Sequence, residues 1–420
     1  LFERRVNLVS LEDIRKADQT LRERVLHTPL VHSPFLSQRT GGEVYLKLEN
    51  LQRTGSFKLR GATYRIRHSL GSIGSDGVIA ASAGNHAQGV ALAAREAGIA
   101  ATIVMPEWAS ITKQEATLAY GGRVLVKGQS VAECVHEALA LAEKGMTFIH
   151  PYDDPYTIAG QGTIALEIFN KLSDPDLIIA PIGGGGLIAG IATAAKEIRP
   201  ETRVVGVQAV ACPSAYRSRK LGRVVEVEAD KTIADGIAVK RPGELTFQII
   251  QGKVDEIVLV EEDDIGYAVL TLLEREKILA EGAGAAPVGA LIGGRITIPK
   301  GCKVVLVISG GNVDASLLDR ILKKGLIRNG RLMKLAVNLE DVPGSLAKLL
   351  SLIAALKANV LQIDHRRNEE DLPIYVSHVA LELETRGWDH LHEVAEGLRN
   401  AGYAIEMAQG GKHSTVEGVK

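Results

Sequence analysis

The chain has 420 residues, 46% hydrophobic and 24% charged, and its 49 Lys and Arg against 50 Asp and Glu leave a net charge of -1. At about 150 residues per domain the length predicts two to three globular domains, and near-neutrality with no basic run excludes a general nucleic-acid or anionic-membrane binder. Cys134, Cys212 and Cys302 lie far apart with no C-x-x-C spacing; this argues against a disulfide framework or a cysteine zinc site and makes a reducing cytoplasm the default.

Residues 1–10 carry Glu3, Arg4 and Arg5 and lack the apolar run of a signal peptide. From there the sequence predicts strands at 78–81, 101–105, 124–126, 177–180, 203–207, 256–260 and 304–308. Amphipathic helices at 86–97, 131–144, 158–172 and 263–276 fall between most of them. Strands alternating with helices predict βαβ units and parallel sheets covered on both faces. Residues 177–195 carry no charge and approach bilayer-spanning length, but they contain Pro181 and the run Gly183–Gly186. Interior glycines cost a helix roughly 1 kcal/mol each, so strand, glycine loop and helix is the better reading, and no membrane span is expected.

After about residue 325 the pattern changes. Residues 326–331 read as a polar, glycine-containing linker. A strand at 332–339, a turn at 340–344, a helix at 345–358 and strands at 360–366 and 374–383 follow. A helix at 388–401 and a strand at 404–407 complete a βαββαβ module. Residues 409–420 form a polar, glycine-rich tail expected to fray. His390-x-His392 falls on a predicted surface helix, and no metal-ligand spacing emerges.

Four segments carry candidate chemistry. Gly55-Ser56-Phe57-Lys58-Leu59-Arg60-Gly61-Ala62 boxes a lysine between an aromatic and small residues. Taken alone this suits a lysine that snorkels to the surface; a partly desolvated amine held as a Schiff base is the functional reading. Ser82-Ala83-Gly84-Asn85-His86 joins a strand to a helix start, where free N–H groups suit either an anion or ordinary capping. Gly183-Gly184-Gly185-Gly186-Leu187 repeats that placement with four glycines, which let backbone N–H groups approach a phosphate. Gly184-x-Gly186-x-x-Ala189 superficially fits a dinucleotide fingerprint, but Gln208 stands where the ribose-binding acid belongs, so NAD is disfavoured. Ser309-Gly310-Gly311-Asn312 places a hydroxyl at a strand's C-terminal end, in a ligand crevice or as a helix cap.

In this order the four segments resemble the pyridoxal-phosphate enzymes of the tryptophan-synthase-β type, and within them the threonine/serine dehydratases, over residues 8–326. The resemblance implies an α/β catalytic domain over 1–325, with parallel sheets and a small subdomain at about 48–150. It implies Lys58 as the Schiff-base lysine and base at the substrate Cα, Phe57 as its packing partner and Asn85 as the partner of the cofactor's ring hydroxyl. Gly183, Gly184, Gly185, Gly186 and Leu187 would hold the phosphate and Ser309 would face the pyridine nitrogen. Ser82, Ala83, Gly84, Asn85 and His86 would frame the substrate carboxylate. The module at 332–408 resembles the ferredoxin-like ACT domain, with Asp341, Pro343 and Gly344 as effector-binding residues.

The implied activity is β-elimination of L-threonine to 2-oxobutanoate and ammonia, with L-serine as a secondary substrate and an amino-acid effector such as isoleucine or valine. A neutral Ser309 moderates the electron sink and so favours prompt loss of the β-leaving group. Serine racemase is the nearest enzymatic alternative; such relatives carry a second proton-donating serine where this chain has Ala83, and metal-binding carboxylates where it has Gln208 and Ser214. No divalent metal site is therefore expected, and a monovalent cation held by carbonyls is compatible with the sequence. A non-catalytic amino-acid sensor is the alternative of a different class. A homodimer or homotetramer is the expected assembly.

Overall fold

The computed structural model describes residues 9–367 and 373–407. The signal-peptide question at 1–8 and the tail at 409–420 lie outside the described residues. Packing divides the chain into Leu1–Asp314 and Ala315–Lys420.

The first unit contains β1 (Leu30–His32), β2 (Glu43–Leu48), β3 (Val78–Ala81), β4 (Ala101–Met105), β5 (Arg123–Val126), β6 (Thr147–Phe148), β7 (Leu177–Pro181), β8 (Arg203–Ala209), β9 (Glu256–Val260) and β10 (Lys303–Ile308). Six of them form a sheet in the order β1-β2-β10-β7-β8-β9. Only β1 runs antiparallel to its neighbour. A second sheet, β5-β4-β3-β6, is parallel throughout. β3 and β7 are buried along their whole length, as strands covered by helices on both faces must be. The predicted strands are found, with β5, β7 and β10 each one residue longer than read and β8 two. β1, β2 and β6 were not predicted.

Helices are packed closely enough in this unit to bring backbones together. A Cβ on Gly160 would lie 2.8 Å from Gly61 Cα, and one on Gly190 would lie 2.6 Å from Gly162 N. These glycines let the helix Pro155–Lys171 touch both Lys58–Ser69 and Gly186–Ile198. The distance between the latter two is thereby set by backbone contact and not by side-chain size.

The second unit contains the helix Ala315–Arg328, then β11 (Leu332–Glu340), β12 (Asn359–Arg366), β13 (Val376–Glu384) and β14 (Ile405–Met407), with helices Ser345–Ala355 and Trp388–Asn400 between them. The antiparallel sheet runs β12-β13-β11-β14, the ferredoxin-like order expected of βαββαβ. Its core includes Leu335, Val337, Leu349, Ile353, Leu381 and Val394. The stretch 326–331 differs from the linker read from composition. It is helical through Arg328, and the Gly330 and Arg331 carbonyls accept from the Thr385 hydroxyl at 2.5 Å and the Thr385 N–H at 3.0 Å. Its backbone groups are used inside the module, which moves the boundary to 314/315.

Candidate active site

The segments singled out by the sequence leave the C-terminal ends of their strands. Ser82 follows β3, Ile182 and Gly183 follow β7, and Ser309 follows β10. Parallel α/β sheets place ligand crevices at these ends.

Lys58 opens the helix Lys58–Ser69, and its amine donates to the Pro151 carbonyl at 2.9 Å. The amine also lies 5.2 Å from the centre of the Phe57 ring. Burial pulls its pKa down to about 8 against the opposing charge of Glu281. A substantial neutral fraction near pH 8 makes it a nucleophile for an aldehyde. Phe57 N–H donates to Ser309 O at 3.1 Å, and Ser56 bridges to Gly310, so the lysine segment is stitched to the end of β10.

Arg60, on the same helix, is wholly buried. It donates to Glu49 at 2.8 Å and Glu167 at 2.6 Å, while Lys47 donates to Glu167 at 2.5 Å. Two cations and two anions thus balance at the base of the helix that presents Lys58. A buried charge is tolerable only when paired in this way.

The glycine loop is a cradle. Gly185 has φ +101°, and a Cβ there would lie 2.9 Å from Thr246. A Cβ on Gly184 would enter the Tyr152 ring. Thr246 Oγ1 donates to Gly184 O at 2.7 Å, and Asp153 caps the helix Glu244–Lys253 by accepting from Glu244 and Thr246 N–H. The first N–H groups of the helix Gly186–Ile198, from Gly186 and Leu187 onward, have no intrahelical partner and carry the positive end of its dipole. An anion of phosphate size suits this loop.

Asn85 opens the helix Asn85–Ala97. Its Nδ2 donates to Glu281 Oε1 at 2.8 Å, and its Oδ1 accepts from Asn312 Nδ2 at 2.8 Å. Gly84 N–H donates to Ser82 Oγ at 3.1 Å, which shapes the turn of Ser82, Ala83 and Gly84 before the helix. The His86 ring is turned away from this loop's backbone N–H groups, toward the end of β6. Its Nε2 pairs with Ile149 O at 2.9 Å, and burial, then the charge of Lys58, pushes the imidazole down to about 3. What His86 offers an anion is its backbone N–H at the helix start.

Three contributors escaped the sequence reading. Glu281 is buried, and burial, helped by Asp235, pushes its carboxyl up to about 8, so it holds its proton at neutral pH. An acid within the otherwise uncharged run 278–294 was the available signal. Pro151 and Tyr152 join the lysine to the cradle; His150 marks them by accepting from the Tyr152 and Asp153 N–H groups at Nδ1. The contacts form one chain: glycine loop, Tyr152, Pro151, Lys58, Phe57, Ser309 and Gly310, then Glu281 and Asn85. A phosphate cradle, a depressed lysine and a neutral hydroxyl at a strand end fit pyridoxal phosphate. Gln208 and Ser214 do not fit a divalent ion, since Gln208 Nε2 and Ser214 Oγ already donate to the Ile182 and Val239 carbonyls at 3.2 and 2.6 Å. No group of three or more His, Cys, Asp and Glu suited to a metal occurs among the described residues. No described helix is long and apolar enough to cross a membrane.

Within the second unit, Asp341, Val342, Pro343, Gly344, His365 and Arg367 line a cleft of about 300 Å³. Arg367 Nε lies 3.1 Å from Asp341 Oδ1, and Gly344 takes φ +94° to start the helix Ser345–Ala355.

Residues 21–310 match the family model described as "Pyridoxal-phosphate dependent enzyme". The "L-threonine ammonia-lyase" of Thermotoga maritima is 47% identical over 401 residues, covering 95% of this chain and 100% of that protein. Among solved structures, a threonine deaminase from "T.th." aligns with TM-score 0.68 and 40% identity, over 73% of this chain and 99% of that one. The serine racemase of Dictyostelium discoideum aligns with TM-score 0.69 and 36% identity, over 73% and 99%.

Proposed function

The chain belongs to the pyridoxal-phosphate dependent enzyme family, and on that premise we propose that it is a threonine ammonia-lyase, converting L-threonine to 2-oxobutanoate and ammonia and accepting L-serine more weakly. The observation that carries the reading is the Lys58 amine, pulled down to about 8 and held by Pro151 O between the asparagine loop and the glycine cradle. The near-full-length likeness to a protein named L-threonine ammonia-lyase supports the choice of substrate.

In this reading Gly183, Gly184, Gly185, Gly186 and Leu187 hold the cofactor's phosphate, Phe57 packs beside Lys58, Asn85 bonds the ring hydroxyl and Ser309 faces the ring nitrogen. Pyridoxal phosphate, joined to an amine through its aldehyde, supplies an electron sink for negative charge at the amino-acid Cα. Lys58 Nζ takes the Cα proton, a role its lowered basicity suits near neutral pH. Ser82, Ala83, Gly84, Asn85 and His86 frame the substrate carboxylate; Ala83, Asn85 and His86 offer it backbone N–H groups, while those of Ser82 and Gly84 are taken by Val104 O and Ser82 Oγ and hold the turn. His86 stays neutral and takes no proton. Ser309, a neutral hydroxyl, does not hold a ring nitrogen charged, which favours departure of the β-hydroxyl over a long-lived carbanion. Ala83 carries no proton to deliver to the opposite face, which disfavours racemisation as the main activity.

The βαββαβ unit is an ACT module in this reading, and Asp341, Pro343 and Gly344 bind the carboxylate and amine of an amino-acid effector such as isoleucine or valine. The assembly is a homodimer or homotetramer. A steady-state assay of ammonia release from threonine and serine, with and without isoleucine and valine, tests the whole reading. Turnover of threonine above serine, altered by one effector, is expected; no ammonia from either substrate under any of these conditions overturns it.

A further inference from the structure

After the exposed Arg203 at its start, β8 is apolar except at Gln208, which is fully buried, as is Ser214. An apolar side chain there would avoid the cost of taking an amide out of water, so Gln208 is tolerated only because every polar group on it is used. Its Nε2 donates to Ile182 O at 3.2 Å and to Ser214 Oγ at 3.4 Å, while its Oε1 accepts from Tyr216 N–H at 2.9 Å. Ser214 Oγ donates its own proton to Val239 O at 2.6 Å.

The two carbonyls held in this way flank the cradle. Ile182 is the residue before Gly183, and a Cβ on Gly183 would lie 3.2 Å from Val239 Cγ2 and 3.3 Å from Gly236 O. The segment around Val239 is therefore the wall on which the first glycine rests. One amide and one hydroxyl fix both the entry to the loop and that wall.

We infer that Gln208 and Ser214 are positioning residues for the cofactor's phosphate: by pinning the Ile182 and Val239 carbonyls with neutral donors they hold the glycine cradle in its binding shape without a divalent ion. A cation among the same oxygens would serve the same purpose, but Gln208 Nε2 already fills that role as a fixed donor. The inference rests on the cofactor and not on threonine as substrate.

The test uses the full chain stripped of cofactor and titrated with pyridoxal phosphate and, separately, with pyridoxal, followed by absorbance and protein fluorescence. Gln208→Glu keeps the acceptor for Tyr216 but sets a carboxylate oxygen against Ile182 O; Ser214→Ala removes one hydroxyl and is the milder variant should the first fail to fold. Both are expected to weaken pyridoxal phosphate by about tenfold or more while leaving pyridoxal within about twofold. The parent's affinity is expected to be indifferent to a chelator of divalent ions. Equal weakening of both aldehydes, unchanged affinity for pyridoxal phosphate in both variants, or loss of the parent's affinity on chelation overturns the inference. None of these readouts depends on turnover of threonine.

Discussion

Lys58 and Glu281 illustrate how burial assigns protonation in the cleft. The lysine is pulled down to about 8 and the acid pushed up to about 8, so desolvation moves both toward their neutral forms. Replacing Lys58 with alanine is expected to abolish turnover while the protein stays folded, a result read from ammonia release and circular dichroism. Glu281 has a folded pKa above its unfolded value, so the native state binds its proton more tightly between about pH 4.5 and pH 8. Its contribution to the cofactor-free protein is fully present at the acidic end and is lost as pH rises through 8. Glu281→Gln retains an acceptor for Asn85 Nδ2 and is expected to flatten that decline, as measured by urea midpoints across the range. A decline as steep as the parent's would assign the slope to other groups. Arg60→Met would leave the Glu49 and Glu167 carboxylates buried with only Lys47 between them. A loss of roughly 3–5 kcal/mol in denaturant unfolding is expected.

Helices and strands explain why some of the site was legible from the residues and some was not. The loops after β3, β7 and β10 were readable because glycine, asparagine and serine between an apolar strand and a helix carry a local signal. β2 escaped because Lys47 breaks its apolar run; that lysine is buried against Thr28 O, Glu49 and Glu167, the last of which lies far along the chain. Glu281 escaped for the same kind of reason, since its role depends on Asn85, brought to it by another strand-loop-helix unit. Local pattern reports on period and turn chemistry, and it is silent on partners that only tertiary packing supplies. The glycine contacts between helices belong to this scale too. Gly190→Leu would drive a side chain into Ile158 O and Gly162, pushing the cradle's helix from the one that begins at Pro155. Weaker pyridoxal phosphate binding together with a lower melting temperature is expected; retention of both would show that the helices can separate without moving the site.

For the whole molecule, two units follow from two kinds of pattern, alternating βα with parallel sheets and then βαββαβ with an antiparallel one. The boundary was harder to read than either unit, because a polar stretch with glycine also describes a helix end whose carbonyls are capped by Thr385. The proposed regulation belongs to this scale. Gly344→Val would force a β-branched residue into a φ of +94° at the mouth of the C-terminal cleft. Effector response to isoleucine or valine is expected to be lost while threonine turnover without effector is kept, as an initial-rate assay would show. The proposed chemistry hangs on one side chain. Reduction of the cofactor-loaded protein with borohydride, followed by peptide mass mapping, is expected to fix a phosphopyridoxyl group on Lys58 alone; a label on any other lysine, or none, would contradict the assignment of this cleft as the catalytic centre.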